Sequence, residues 1–292
     1  MTALLTTKAA RKMMTSISDS EHRHVLHNSW SYWSGWRTLG GYALWIMLAL
    51  IYFPLLWLGL MSFSARPLSG IPFPFTFEHY DALFANTSWI QPFGISVLIG
   101  VGVGMVTAFT ATVVGRAIPH SPRSGMLVLL AMLPLFIPGM SMGAAQFIFL
   151  RPMLGMTLGY WSIFLGHIVW AFPFSLLIVL VLTTRFDYKL IEAAADLGAS
   201  RWQTFWQIEM PILRPGIVGA ALFGFLISFN EAQRSIFLRG TSTTMPIWNW
   251  TMASSQQSQV PIIFSLETIV LLVVLPSLAA VFWVLFARMD KN

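Results

Sequence analysis

The sequence predicts an all-α polytopic membrane protein, and two facts of composition and one of pattern lead there. Of 292 residues, 56% are hydrophobic and only 10% are charged, against about 25% charged in an ordinary globular domain. The 17 Lys+Arg and 11 Asp+Glu are too few to cover the two water-facing domains that this length would allow. They also avoid six long apolar stretches, 42–62, 93–115, 126–150, 160–182, 217–238 and 262–286, in which only Glu231, Arg234 and Glu267 are charged. A hydrocarbon core about 30 Å thick takes roughly 20 apolar residues of helix, and the cost of desolvating charge keeps ionised groups out of it. The absence of Cys removes disulfides, thiolate metal ligands and cysteine nucleophiles together. A net charge of +6 would suit nucleic acid, but 13 Trp and 23 Phe set in apolar runs point to lipid instead. No nucleic-acid partner is expected.

Taken in order, residues 1–41 are polar and basic and read as a cytoplasmic arm, with Trp30, Trp33 and Trp36 at headgroup level. The first span is long for a signal-peptide core and no small-residue cleavage site follows it, so it is expected to stay attached. Residues 42–292 form the six-span domain. Orientation follows from the connections. Thirteen Lys/Arg lie on the side of the two termini: Lys8, Arg11, Lys12, Arg23, Arg37, Arg116, Arg123, Arg185, Lys189, Arg201, Arg214, Arg288 and Lys291. Only Arg66, Arg151, Arg234 and Arg239 fall on the other. Both termini are therefore expected in the cytoplasm.

The second span carries Gly100 and Gly104 four apart, then Ala111 and Gly115, a spacing that lets helix backbones approach closely where lipid gives no hydrophobic drive between them. Prolines interrupt four spans (Pro54; Pro134 with Pro138; Pro173; Pro276). Two readings fit them, kinks that serve packing alone and breaks in a bundle that lines a pathway. His167 stands alone in the fourth span and reads as a hydrogen-bonded packing residue.

The loop 183–216 is polar enough to leave the bilayer yet patterned as helix. Leu190, Ala194 and Leu197 recur at i, i+4 and i+7, and Glu192 and Asp196 sit four apart on a neighbouring face. Gly198 is placed to end this helix with positive φ. Ser200 with Gln203 forms a capping box opening a second short helix, whose Trp202, Phe205 and Trp206 make an aromatic face and which Pro211 is expected to end. The pair reads either as an amphipathic hairpin lying on the membrane surface or as a compact docking element.

No catalytic constellation is visible. There is no G-x-x-x-x-G-K-[ST], no H-E-x-x-H and no paired carboxylates suited to hydrolysis. His22, His24 and His27 in the arm read as solvated. No metal site and no cofactor is expected.

The run Glu192-Ala193-Ala194-Ala195-Asp196-Leu197-Gly198-Ala199-Ser200, followed by Ile208-Glu209-Met210-Pro211, resembles the EAA loop of ATP-binding-cassette (ABC) importer permeases. The glycine falls at the family's spacing, and Met210 stands in the usual Leu place of I-x-L-P. The resemblance covers nearly all of the chain after the arm and implies the type I importer permease fold in a bacterial inner membrane. It implies a coupling helix seated on an ATPase dimer, through Glu192, Ala193, Ala194, Asp196, Gly198, Ser200, Trp202, Phe205 and Pro211. It further implies a second permease subunit, commonly a paralogue, and a periplasmic solute-binding protein toward which the polar loop 241–260 reaches. The segments Ser228-Phe229-Asn230-Glu231, Phe237-Leu238-Arg239-Gly240 and Met245-Pro246-Ile247 look like the polyamine branch, with Asn230 in place of an Asp and Arg234 in place of an apolar residue.

Glu231, 14 residues into its span, is expected roughly 21 Å along it at 1.5 Å per residue, in the outer half, with Arg234 within reach. Asn230, Glu231 and Arg234 are then candidates for the solute path. The alternative is a self-neutralising pair that keeps the helix facing the bundle. Glu267, near the outer end of the sixth span, reads as snorkelling to the interface. A standalone secondary transporter or channel is the rival function, and it would call for more intramembrane charge or an internal repeat than this sequence holds.

Overall fold

The computed structural model describes residues 40–255 and 257–289. The arm up to residue 39, with its tryptophans and histidines, lies outside the described residues. The described residues fall into two compact units, divided after Pro74. In the first, helix α1 (Gly40–Met61) is long and apolar enough to cross a membrane. The chain then folds back on itself, with the Ser64 hydroxyl donating to the Ile71 carbonyl at 2.6 Å and the Ala65 N–H to the Pro74 carbonyl at 2.9 Å.

The second unit contains α2 (Glu78–Ala85), α3 (Ile90–Ala117), α4 (Ser124–Met132), α5 (Gly139–Ile148), α6 (Tyr160–Thr183), α7 (Lys189–Asp196), α8 (Arg201–Thr204), α9 (Met210–Phe229), α10 (Gln233–Leu238), α11 (Met245–Ser255) and α12 (Val260–Met289). Short 3₁₀ turns extend α3 to Thr87–His120. Its centre is the three-helix contact of α3, α6 and α9. Small residues make that contact possible: a Cβ on Gly104 would strike the Ala221 carbonyl, and a Cβ on Gly224 would come within 3.0 Å of Gly104 Cα. The spacing read in the second span is thus used against the fifth. Ser175 adds a polar tie, its hydroxyl 3.0 Å from both Thr107 Oγ1 and the Ala220 carbonyl. Ala108, Ala111, Leu176, Val179 and Ala220 pack one half of this core, and Ile99, Val103, Ile163, Ala171 and Leu238 the other. Leu83, Met245, Trp248, Ile263 and Leu266 join α2, α11 and α12.

Two expected spans are not single helices. The stretch 126–150 breaks between Phe136 and Gly139, and its halves meet at 100°. Ile137 is extended (φ −95°, ψ 125°) because the residue before a proline, here Pro138, is pushed out of the helical region. The stretch 217–238 also breaks. α9 stops at Phe229 and α10 restarts at Gln233, so Glu231 lies in a gap between helices and the count of 14 residues along one span does not locate it. Among the described residues, four helices are long and apolar enough to cross a membrane, five if the bent pair is one span. The 30-residue α12 opens with an apolar stretch, Val260–Val274.

Pro211 does not end the second loop helix. α8 runs through π-helical turns at Phe205–Glu209 into α9 with Pro211 in its first turn, giving one continuous helix, Arg201–Phe229. Inside that helix a proline gives no N–H and its ring crowds the carbonyl one turn back, and the wider π turns fall at that point, at Phe205–Glu209.

Candidate functional site

Two groups of sequence-predicted residues form distinct places. The first is the loop corner. α7 ends at Gly198 with φ +80°, a left-handed conformation that side chains other than glycine resist. The Ser200 N–H donates to Gln203 Oε1 at 2.8 Å, and the Gln203 N–H donates to Ser200 Oγ at 3.3 Å, closing the capping box. Glu192, Ala193, Asp196, Gly198, Ser200, Trp202 and Pro211 are exposed, whereas Ala194 is buried and Phe205 half-buried. The expected apolar stripe divides: Ala194 turns inward, while Leu190 and Leu197 face out, Leu197 being 89% exposed. Trp202 and Trp206 pack edge to face, with ring centres 5.5 Å apart, and both are exposed.

Sequence reasoning missed what ties this corner to the bundle. Arg116, in the last turn of α3, donates to Glu209 Oε2 from Nε at 2.7 Å and approaches the same oxygen with a terminal nitrogen at 2.5 Å. Its guanidinium also stands 4.6 Å over the Phe205 ring. A cation near a helix C-terminus is favoured in its own right. Beside the pair, a cavity of about 250 Å³ is lined in part by His120, Tyr188, Ile191 and Leu213. Burial raises the Tyr188 phenol pKa above its ordinary value; the Glu209 carboxylate adds to this and Arg116 opposes it. The phenol therefore stays protonated at neutral pH. Ninety-three positions separate Arg116 from Glu209, and no local spacing signals their meeting.

The second place is the gap in the fifth stretch. Asn230 closes the end of α9 by donating from Nδ2 to the Leu226 carbonyl at 3.0 Å, and is itself exposed. Glu231 opens α10: its Oε1 accepts from the Arg234 N–H at 3.0 Å, and its Oε2 from the Arg234 guanidinium at 2.7 Å. Both side chains are buried, at 8% and 2% exposure. Arg234 lies with its guanidinium carbon 3.8 Å over the Trp170 ring.

His167 holds the gap from α6. Its Nε2 lies 2.7 Å from Ser235 Oγ and its Nδ1 2.8 Å from Ser228 Oγ. Ser235 gives its proton to the Glu231 carbonyl at 2.8 Å, so it must accept from Nε2–H, and Ser228 then donates to Nδ1. The packing role read for His167 is what the geometry displays. Glu267 does not snorkel. It is half-buried and accepts a hydrogen bond from the Asn249 amide of α11.

No protein-family model matches the chain. It is 29% identical over 208 residues to the spermidine/putrescine transport system permease protein PotC of Haemophilus influenzae, covering 68% of this chain and 77% of that one. To the protein of the same name from Escherichia coli K12 it is 29% identical over 249 residues, 80% of this chain and 89% of the other. The fold matches a solved bacterial ABC transporter involved in the import of the acidic polysaccharide alginate, with a TM-score of 0.62 at 15% identity, over 83% of this chain and 94% of that one.

Helical architecture, sequence and loop corner together define the class: this is a permease of the ABC importers, a multi-pass inner-membrane protein, and not a standalone secondary transporter or channel. Within that class its sequence lies near the polyamine-transport permeases.

Proposed function

We propose that the chain is one transmembrane half of an importer that takes a small polar solute, a polyamine or another charged metabolite, from a periplasmic binding protein to the cytoplasm. A separate ATPase dimer supplies the energy and a second permease, a paralogue, supplies the other half. Six spans with both termini cytoplasmic fit the Lys/Arg distribution. The observation that carries the reading is the loop corner. Glu192, Ala193, Asp196 and Ser200 are exposed around a left-handed glycine, beside exposed Leu197, Trp202 and Trp206. Large apolar side chains clustered on a polar loop are what a partner surface leaves uncovered in the isolated chain.

The solute path runs past the gap between α9 and α10. Interrupted helices at membrane depth are tolerated where they line a cavity or are buried in protein. The exposed Asn230 amide touches the solute, and the buried Glu231–Arg234 pair shapes the gap behind it. Purification of the tagged chain from its native membrane should bring down an ATPase and a second permease, and the reconstituted assembly should take up solute only with ATP and binding protein. Uptake by the chain alone would overturn the reading. Glu231→Gln should lower uptake with the assembly intact; undiminished uptake would remove Glu231 from the path.

A further inference from the structure

The gap between α9 and α10 has the parts of a receptor for an organic cation. A carboxylate and an indole face stand on two sides of one small volume, and a planar guanidinium fills it. Trp170 supplies the face at 3.8 Å, within the range for a cation over a ring. Glu231 supplies the edge, and both of its oxygens are spent on one residue, Oε2 on the guanidinium and Oε1 on the Arg234 main chain. The occupant is covalently tethered three residues away, and its fit is incomplete, because the Arg234 Nε–H is buried with no acceptor. The side chain is held by the carboxylate and the ring, and not by a full set of partners for its donors.

We propose that this gap is a cation-binding box occupied by the chain's own Arg234, and that it takes a free guanidinium or alkylammonium ion once that side chain is removed. In the native chain the box is closed to free cations. A cationic solute meets no available carboxylate there unless Arg234 leaves Trp170. The consequence for transport rests on the reading that the gap lines the solute path; the binding itself does not.

The test uses the full chain in nanodiscs, with methylguanidinium as the probe. Arg234→Ala empties the box and leaves Glu231 buried and unpaired. Methylguanidinium should raise its melting midpoint saturably, on the order of a few degrees. It should leave wild type and the Glu231→Gln/Arg234→Ala double variant unmoved, and Trp170→Leu in the Arg234→Ala background should weaken the response. If Arg234→Ala accumulates poorly, cell-free synthesis into nanodiscs with methylguanidinium present should restore it. A stable Arg234→Ala chain that ignores the cation, an equal response from wild type, or no restoration by the cation would each overturn the proposal. Because melting requires no transport, this outcome is separable from that of the uptake experiments.

Discussion

Removing either partner of the Arg116–Glu209 pair tests whether the loop corner is fastened to the bundle or merely lies beside it, and the two removals are not equivalent. Arg116 is 38% exposed and Glu209 13% exposed, so the pair falls between a surface ion pair, at about 0–1 kcal/mol, and a buried one, whose disruption costs about 3–5 kcal/mol. Glu209→Gln keeps an acceptor and leaves a guanidinium that can turn to water and still cover Phe205. It should cost about 1 kcal/mol, the value of a typical hydrogen bond. Arg116→Ala loses the pair, loses a cation–π contact of about 0.5–1 kcal/mol and leaves the more buried carboxylate unpaired, for a total near 2–3 kcal/mol. The difference, about 1–2 kcal/mol, amounts to roughly 2–8 °C in melting midpoint at the 2–4 °C per kcal/mol of a chain of this order of size. Thermal melts of wild type, both single variants and the double variant in nanodiscs measure it, and the cycle should return a coupling of about 1 kcal/mol. Additive single effects, or Glu209→Gln proving worse than Arg116→Ala, would refute the reasoning.

Gly198→Ala adds a Cβ that meets nothing within 4 Å, so its cost is backbone strain alone, about 1 kcal/mol. The fold should survive while ATPase co-purification falls, and an unchanged yield of ATPase would separate the corner from docking. Gly104→Val should destabilise by at least about 1–3 kcal/mol through overpacking against α9, seen as a lower melting midpoint, whereas Gly125→Ala, which faces open space, should not. His167→Phe strands Ser228 and takes one partner from Ser235, a loss of about 1–3 kcal/mol measurable by the same melts.

The class of fold was legible because exclusion of charge from hydrocarbon acts on every residue of a span and leaves a signal some 20 residues long. The corner was legible because Gly198 and the Ser200–Gln203 box are local, their partners lying within three residues. The break at Asn230 was hidden by its own surroundings. The largely apolar sequence from 217 to 229 and from 235 to 238 outweighs the four polar positions Asn230, Glu231, Gln233 and Arg234 in a hydropathy window, yet Asn230 adds a side-chain bond to the last turn of α9 and Glu231 accepts the Arg234 N–H at the start of α10. The break at Ile137 could have been read from Pro134 and Pro138 taken together, since the second proline constrains the residue before it. Arg116 with Glu209, and Arg234 over Trp170, depend on helices brought together from distant parts of the chain. Nothing near them in sequence marks those meetings.

The continuous helix Arg201–Phe229 has a geometric consequence. Its 29 residues span about 43 Å at 1.5 Å each, with the capping box of the loop corner at one end and Asn230 at the other. Each residue of an α-helix turns the chain by about 100°, so these two ends share a fixed rotational phase as well as a fixed separation. A single residue inserted anywhere between 211 and 228 would leave composition and hydropathy almost untouched. It would nonetheless swing Asn230 about a quarter-turn away from its present heading relative to Trp202. In this chain, spacing along one helix sets how the loop corner and the gap at Asn230 are turned with respect to each other.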